Sequence, residues 1–139
     1  MIAAASIGTA HAKCGAGTKT LFSCPTKNGK QIELCDAGKT VEYSFGRMQA
    51  KPEIIVSVAR AQASTSQWAG IGRWMSYAVD IPNGKTVYNV FWGVDRLSDN
   101  HDTEAGVNVM VDGKPIATVE CTGKNIVQNM EGVDLKQSE

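Results

Sequence analysis

The sequence lacks an excess of charge of either sign and any long apolar run. Its 139 residues hold 14 lysines and arginines and 14 aspartates and glutamates, so the formal net charge is zero. A nucleic-acid partner is not predicted, because such proteins carry a basic surface. No membrane span is predicted either, because no apolar run approaches the roughly 20 residues that a spanning helix needs. The length is that of one domain.

Motifs for catalysis and for metal or cofactor binding are also missing. The two histidines are His11 and His101. A serine–histidine–aspartate arrangement would have to use His101, in the polar segment 97–104, and no G-x-S-x-G motif accompanies it. The acidic residues of that segment do not follow the spacing of the twelve-residue calcium loop. We therefore predict a chain that is not an enzyme and that carries no metal and no cofactor.

Residues 1–12 differ from the rest of the chain. They are mostly small and apolar, carry no formal charge and end in Ala10-His11-Ala12, the A-x-A pattern that precedes signal-peptidase cleavage. The basic region that should come first is missing, so we interpret 1–12 as the remnant of a signal peptide that starts upstream. The mature chain would begin at Lys13 and be periplasmic or secreted. The alternative is a short strand or helix that stays attached.

The cysteines agree with export. All four follow the predicted cleavage site, and they are Cys14, Cys24, Cys35 and Cys121. An even number in an exported chain predicts two disulfides, and the spacings match no common zinc site. Four cysteines allow three pairings. We favour a local bridge between Cys24 and Cys35 and a long bridge between Cys14 and Cys121.

Apolar and polar residues alternate along most of the chain, as in Val41-Glu42-Tyr43-Ser44-Phe45. A period of two indicates β-strands rather than helices. About eight strands are predicted, at 19–24, 30–35, 40–46, 53–60, 71–81, 86–95, 106–111 and 115–121. A turn of helix is expected within 61–67 and a last short strand near 125–129.

Three dipeptides typical of tight hairpin turns lie between these runs: Asn28-Gly29, Asn83-Gly84 and Asp112-Gly113. They supply the positive φ angles that such turns require. Hairpins joined in sequence predict an antiparallel meander, folded as a sandwich or a flattened barrel. We therefore predict one all-β domain over residues 13–139, tied by disulfides.

The segment Ser64–Trp74 has the most unusual composition, with two tryptophans, an arginine and two glycines close together. Tryptophan and arginine dominate the hot spots of protein interfaces, and glycine allows a close backbone approach. We predict a binding surface made by Trp68, Gly70, Arg73 and Trp74. The alternative is structural, with the tryptophans packed in the core or under a loop and the glycines forming a bulge.

Three segments resemble the small periplasmic inhibitors of C-type lysozyme: Phe22-Ser23-Cys24, Tyr88-Asn89-Val90-Phe91-Trp92 and Ile116-Ala117-Thr118-Val119-Glu120-Cys121. The resemblance spans roughly residues 20–121 and implies an inhibitor of a cell-wall hydrolase. The inhibitory loop of that family reads Ser-Gly-x-x-Tyr. Here the corresponding segment reads Ala69-Gly70-Ile71-Gly72-Arg73-Trp74. Its serine and tyrosine are absent, so no inhibitory residue carries over.

These patterns favour a periplasmic binding protein without catalysis, which blocks or sequesters a protein such as a cell-wall hydrolase or toxin. One alternative is a domain that binds carbohydrate or another small ligand, with the same aromatic side chains stacked on sugar rings. Others are a structural component of the envelope and an enzyme centred on His101. Because exposed strand edges often pair between copies, a homodimer is also expected.

Overall fold

The computed structural model of the protein describes residues 14–139. It contains eleven strands and two short 3-10 turns, Lys27–Gly29 and Arg60–Gln62. The strands are β1 (Lys19–Pro25), β2 (Lys30–Asp36), β3 (Thr40–Arg47), β4 (Ile54–Ala59), β5 (Ser64–Gln67), β6 (Trp74–Asn83), β7 (Thr86–Asp95), β8 (Thr103–Val111), β9 (Lys114–Glu120), β10 (Val127–Gln128) and β11 (Lys136–Gln137). The predicted all-β class is confirmed. The predicted signal remnant and its cleavage site lie outside the described residues.

The strands form two sheets that pack face to face. The first sheet has the order β10-β1-β2-β3-β4, and the second has the order β11-β5-β6-β7-β8-β9. Neighbours that follow one another in the chain are antiparallel, whereas β11 runs parallel to β5. The predicted sandwich is therefore confirmed, and the described strands do not close into a barrel. Within 14–139, no helix has the length and apolar character needed to cross a membrane.

The core lies between the sheets because the alternating pattern turns one face of each strand inward. Val41 and Leu34 from the first sheet and Val90 from the second are fully buried there. Tyr43 of β3 stacks on Tyr88 of β7 across the interface, with ring centroids 4.7 Å apart. Burial also raises the pKa of the Tyr43 hydroxyl. The two sheets are thus joined by one apolar core between their inner faces.

The structure differs from the sequence prediction between residues 60 and 74. A 3-10 turn ends at Gln62 and strand β5 occupies Ser64–Gln67, where one turn of helix was expected. The strand is short and polar, so it shows no apolar alternation. It is held in the sheet partly by Thr65, whose buried hydroxyl donates to the carbonyl of Ala78 at 2.7 Å. Strand β6 begins only at Trp74, so the predicted strand at 71–81 is three residues shorter at its start.

The disulfide pairing favoured from the sequence is wrong. The structure joins Cys14 to Cys35 and Cys24 to Cys121, with Cα–Cα distances of 5.5 and 5.7 Å. Cys24 and Cys35 do lie on adjacent strands, but the register places Cys24 opposite Ile32, three residues before Cys35. That offset separates the two side chains too far for a bridge. The Cys24–Cys121 bridge instead ties β1 of the first sheet to the end of β9 in the second.

The C-terminal segment after Cys121 adds one edge strand to each sheet. Strand β10 pairs with β1, and β11 pairs with β5. Between them Met130 is fully buried, and its carbonyl accepts a 2.9 Å hydrogen bond from the Gln67 amide. The expected short strand near 125–129 is present as β10, whereas β11 was not foreseen.

Candidate binding surfaces

Two loops lie side by side at one end of the second sheet and form a candidate surface that we call the paired loops. Residues 68–73 join β5 to β6, and residues 96–102 join β7 to β8. The backbone amide of Arg96 donates to the carbonyl of Arg73 at 2.7 Å. Its guanidinium Nη1 donates to the carbonyl of Gly72 at 3.2 Å. These bonds join the two loops directly.

Side chains hold the paired loops in place. The Arg96 guanidinium lies over the ring of Trp68, 4.8 Å from its centroid. The indole N–H of Trp68 donates to the carbonyl of Ile71 at 3.0 Å. Nε of Arg73 donates to Oδ1 of Asp95 at 2.9 Å, and this hydrogen bond holds the pKa of the Asp95 carboxyl below its usual range. The loops are therefore braced by contacts within and between them.

The paired loops present two large apolar side chains to solvent. Ile71 is 84% exposed and Leu97 is 66% exposed. Gly70 and Gly72 flank Ile71 with φ angles of 85° and 98°, which residues with side chains rarely adopt. The turn that projects Ile71 therefore depends on both glycines. Sequence reasoning missed Ile71 and Leu97 because isolated apolar residues in loops are common; the flanking glycines were the available signal.

The four predicted binding residues lie in two different places. Trp68, Gly70 and Arg73 belong to the paired loops. Trp68 is half-buried and packs against the margin of the core, as the structural alternative expected. Trp74 is the first residue of β6, is 40% exposed and lies on the outer face of the second sheet. Trp68 thus packs between the paired loops and the core, whereas Trp74 belongs to a separate surface.

A hydrogen-bonded row of side chains, the polar ladder, crosses that outer face. Its members occupy directly opposed positions on β6 to β9: Asp80, Asn89, Asn108 and Thr118. Nδ2 of Asn89 donates to Oδ1 of Asp80 at 2.7 Å, and Nδ2 of Asn108 donates to Oδ1 of Asn89 at 3.1 Å. The Thr118 hydroxyl donates to Oδ1 of Asn108 at 2.7 Å. The ladder therefore links four consecutive strands on the side away from the core.

A groove of about 490 Å³ opens beside the polar ladder on the same face. Trp74 lines one part of it, and Asn108 and Thr118 of the ladder line another. Phe91, Glu104 and Glu120 are among the other residues that line it. The groove therefore combines aromatic, acidic and hydrogen-bonding groups in one depression. Sequence alternation identified the strands but not which outward residues meet there.

The loop that contains His101 is held by the hydroxyl of Ser98. The Ser98 hydroxyl accepts a hydrogen bond from the Asp102 amide at 3.0 Å and donates to the carbonyl of Asp95 at 3.3 Å, so it closes the loop. The exposed His101 imidazole makes no hydrogen bond to any described residue. Nowhere in residues 14–139 do three or more histidine, cysteine, aspartate or glutamate side chains gather as metal ligands.

The fold and these surfaces define a disulfide-tied, two-sheet β-sandwich with two exposed candidate binding surfaces. Comparison with protein-family models, with curated proteins and with solved structures found no match for the chain. Function is therefore inferred from the surfaces themselves.

Proposed function

We propose that the protein is a non-catalytic binding domain that works in the periplasm or outside the cell and holds a protein partner through the paired loops. The observation that carries this proposal is the exposure of Ile71 and Leu97 on two loops that are bonded to each other. The two disulfides support an oxidising location, because such bridges persist outside reducing compartments.

The bracing of the paired loops favours tight binding. Ordering flexible loops and side chains costs free energy when a complex forms, and loops that are already held avoid much of that cost. Arg96 bridges the loops through both its backbone and its guanidinium, and it also covers Trp68. Ile71 and Leu97 are therefore offered to a partner in a fixed arrangement.

The partner that suits this surface is a protein with an apolar cleft. Two projecting side chains, flanked by the charged groups of Arg73 and Asp95, can enter a cleft and leave a polar rim around it. An enzyme that degrades the cell wall has an active-site cleft, and a bound protein can block that cleft without any catalytic group. We therefore favour a cell-wall hydrolase or a toxin as the partner, with the chain as its inhibitor or immunity protein.

The test uses the oxidised protein as bait for envelope extracts and for purified C-type lysozyme. The loop variant is Ile71→Ser with Leu97→Ser. The control variant is Ile55→Ser with Ile116→Ser, which changes two isoleucines on β4 and β9 that are 58% and 63% exposed. We expect the wild-type protein and the control to capture the same stoichiometric partner and to inhibit its activity. The loop variant should bind at least about tenfold more weakly, as expected for hot-spot residues.

Equal capture by the loop variant and the control would remove the paired loops as the contact surface. A folded bait that captures no protein would refute the protein-binding role itself. Circular dichroism and a melting curve on each variant separate a lost contact from a lost fold.

A further inference from the structure

The groove on the outer face of the second sheet contains an aromatic platform, which is the ring of Trp74 held against the sheet. A Cβ atom at Gly93 would lie 2.6–2.7 Å from three adjacent ring atoms of Trp74, namely Cζ2, Cε2 and Nε1. Near-equal distances to three adjacent atoms mean that the indole lies face-on over the backbone of β7. Only glycine allows this approach. One face of Trp74 is thus seated on the sheet, and the side chain still exposes 40% of its surface to the groove.

Several hydrogen-bonding groups beside the platform have no partner within residues 14–139. The indole N–H of Trp74 and the hydroxyls of Ser66 and Ser76 line the groove, and none of them bonds to a described residue. Asn108 and Thr118 close the far end, where each keeps further bonding capacity beyond the polar ladder. An apolar ring face beside several free polar groups suits a sugar ring, which has apolar C–H faces and polar edges.

The negative charge of the groove favours a sugar that carries a positive charge. Glu104 and Glu120 line it, and within residues 14–139 neither carboxylate forms an ion pair or a hydrogen bond. Among the described residues, no lysine or arginine lines the groove. Glu104 lies opposite Gly93, the residue that carries the Trp74 ring, and Glu120 lies opposite Gly106 on the next strand pair. The carboxylates therefore flank the platform on one side.

We propose that this groove binds a glycan whose sugar units carry free amino groups. A sugar ring stacks on the open face of Trp74, and its ammonium group pairs with Glu104 or Glu120. Charge-assisted hydrogen bonds of this kind are stronger than neutral ones, and the aromatic ring adds a cation–π attraction. This site is separate from the paired loops, so it can hold the protein to a polysaccharide while the loops engage a protein.

The experiment titrates the oxidised protein with a glucosamine tetramer and follows tryptophan fluorescence and binding heat. The comparison ligands are the N-acetylated tetramer, a glucose tetramer and spermidine. We expect the glucosamine tetramer to bind at least about tenfold more tightly than each of the other three. Trp74→Ala should abolish binding, and Glu104→Gln with Glu120→Gln should weaken it at least about tenfold and reduce its dependence on salt.

Gly93→Ala supplies a second test that keeps the tryptophan but forces its ring off the sheet, and it should also weaken binding. Ile71→Ser with Leu97→Ser should leave glycan binding unchanged, which separates this site from the paired loops. No binding of the glucosamine tetramer, or equal binding of the N-acetylated or glucose tetramer, would overturn the proposal. Spermidine binding as tightly would overturn it as well, in favour of a simple cation site.

Discussion

The inner and outer faces of the second sheet are built from neighbouring residues of the same strands, yet different forces hold them. The inner row is apolar and consists of Val79, Val90, Val107 and Val119. The outer row is the polar ladder, whose members each directly precede or follow one of those valines. The first three valines are fully buried, whereas the ladder residues are half-buried or exposed and bond to one another.

The inner face therefore stabilises the fold, whereas the outer face presents side chains to solvent. Removing apolar surface from water stabilises the sandwich, and that contribution depends on the second sheet being covered by the first. The ladder contributes less free energy because its groups would bond to water in the unfolded chain. It fixes the relative positions of the strands on the face that carries the groove.

Replacing Cys24 and Cys121 by serine should destabilise the protein most, because it removes the covalent tie that keeps the two inner faces together. The bridge spans 97 residues, and the loop-entropy relation then gives a loss of about 4–5 kcal/mol. Replacing Cys14 and Cys35, which span 21 residues, should cost about 1 kcal/mol less. Urea unfolding of both double variants measures the difference. An equal or larger loss for the shorter bridge would contradict this ranking.

Val107→Ala and Asn108→Ala compare the two faces at adjacent positions of β8. Val107 is fully buried, so its truncation should cost about 2 kcal/mol from lost burial and the cavity left behind. Asn108→Ala breaks the centre of the ladder and should cost about 1 kcal/mol or less. Denaturant midpoints with unchanged slopes would report this order. A greater loss from Asn108→Ala would show that the outer face, not the core, dominates the stability of this sheet.

A double-mutant cycle tests whether the ladder acts as a connected row. Asn108 of β8 donates a 3.1 Å hydrogen bond to Asn89 of β7 through their side chains. Alanine at both positions should cost less than the sum of the two single changes, with a coupling of about 0.5–1 kcal/mol. The control cycle combines Asn89→Ala with the distant Ile55→Ala, and there the two losses of unfolding free energy should simply add. Additivity in both cycles would mean that the ladder bonds are not energetically linked.

The ion pair between Asp36, the last residue of β2, and Arg60, which follows β4, should have a similarly small effect. Arg60 Nη1 lies 2.7 Å from Oδ1 of Asp36, and this contact lowers the pKa of Asp36 from 3.8. The pair therefore stabilises the fold above that value, and its contribution is lost as the pH falls through the lowered pKa. Asp36→Asn should cost about 0.5–1 kcal/mol at pH 7.

Unfolding curves at several pH values check the sign of this effect. The gap between wild type and Asp36→Asn should close as the solution is acidified below the ordinary aspartate range. A gap that stays constant down to pH 2 would contradict a role for the ionised carboxylate.

The alternation of residue types predicted the inner face well, because burial of valine and aromatic residues leaves a direct mark on sequence. The predicted bounds of β1–β4 and β6–β9 lie close to those in the structure, and burial alternates most clearly along β3, β4 and β6. Strand β5 was missed because its polar residues are held by hydrogen bonds such as that of Thr65, which leave no apolar period. The disulfide pairing was missed because it depends on the strand register and on how the sheets stack.

The side-chain contacts on the outer face and between the loops could not be predicted from the sequence. Trp74 was singled out by composition, but its seat on Gly93 joins residues on two strands and depends on their pairing. Asn89 and Asn108 look like ordinary solvent-facing residues until the register places them opposite each other. Ile71 and Leu97 become notable only when the two loops are seen to be bonded together.

Site-specific photo-crosslinking in cells tests the central claim, that the paired loops hold a protein partner, most directly. A photoreactive residue at position 71 is compared with one at position 116, where Ile116 is also largely exposed but lies on β9. We expect one discrete adduct with a second protein from position 71 and none from position 116. No adduct from position 71, or the same pattern from both positions, would contradict it.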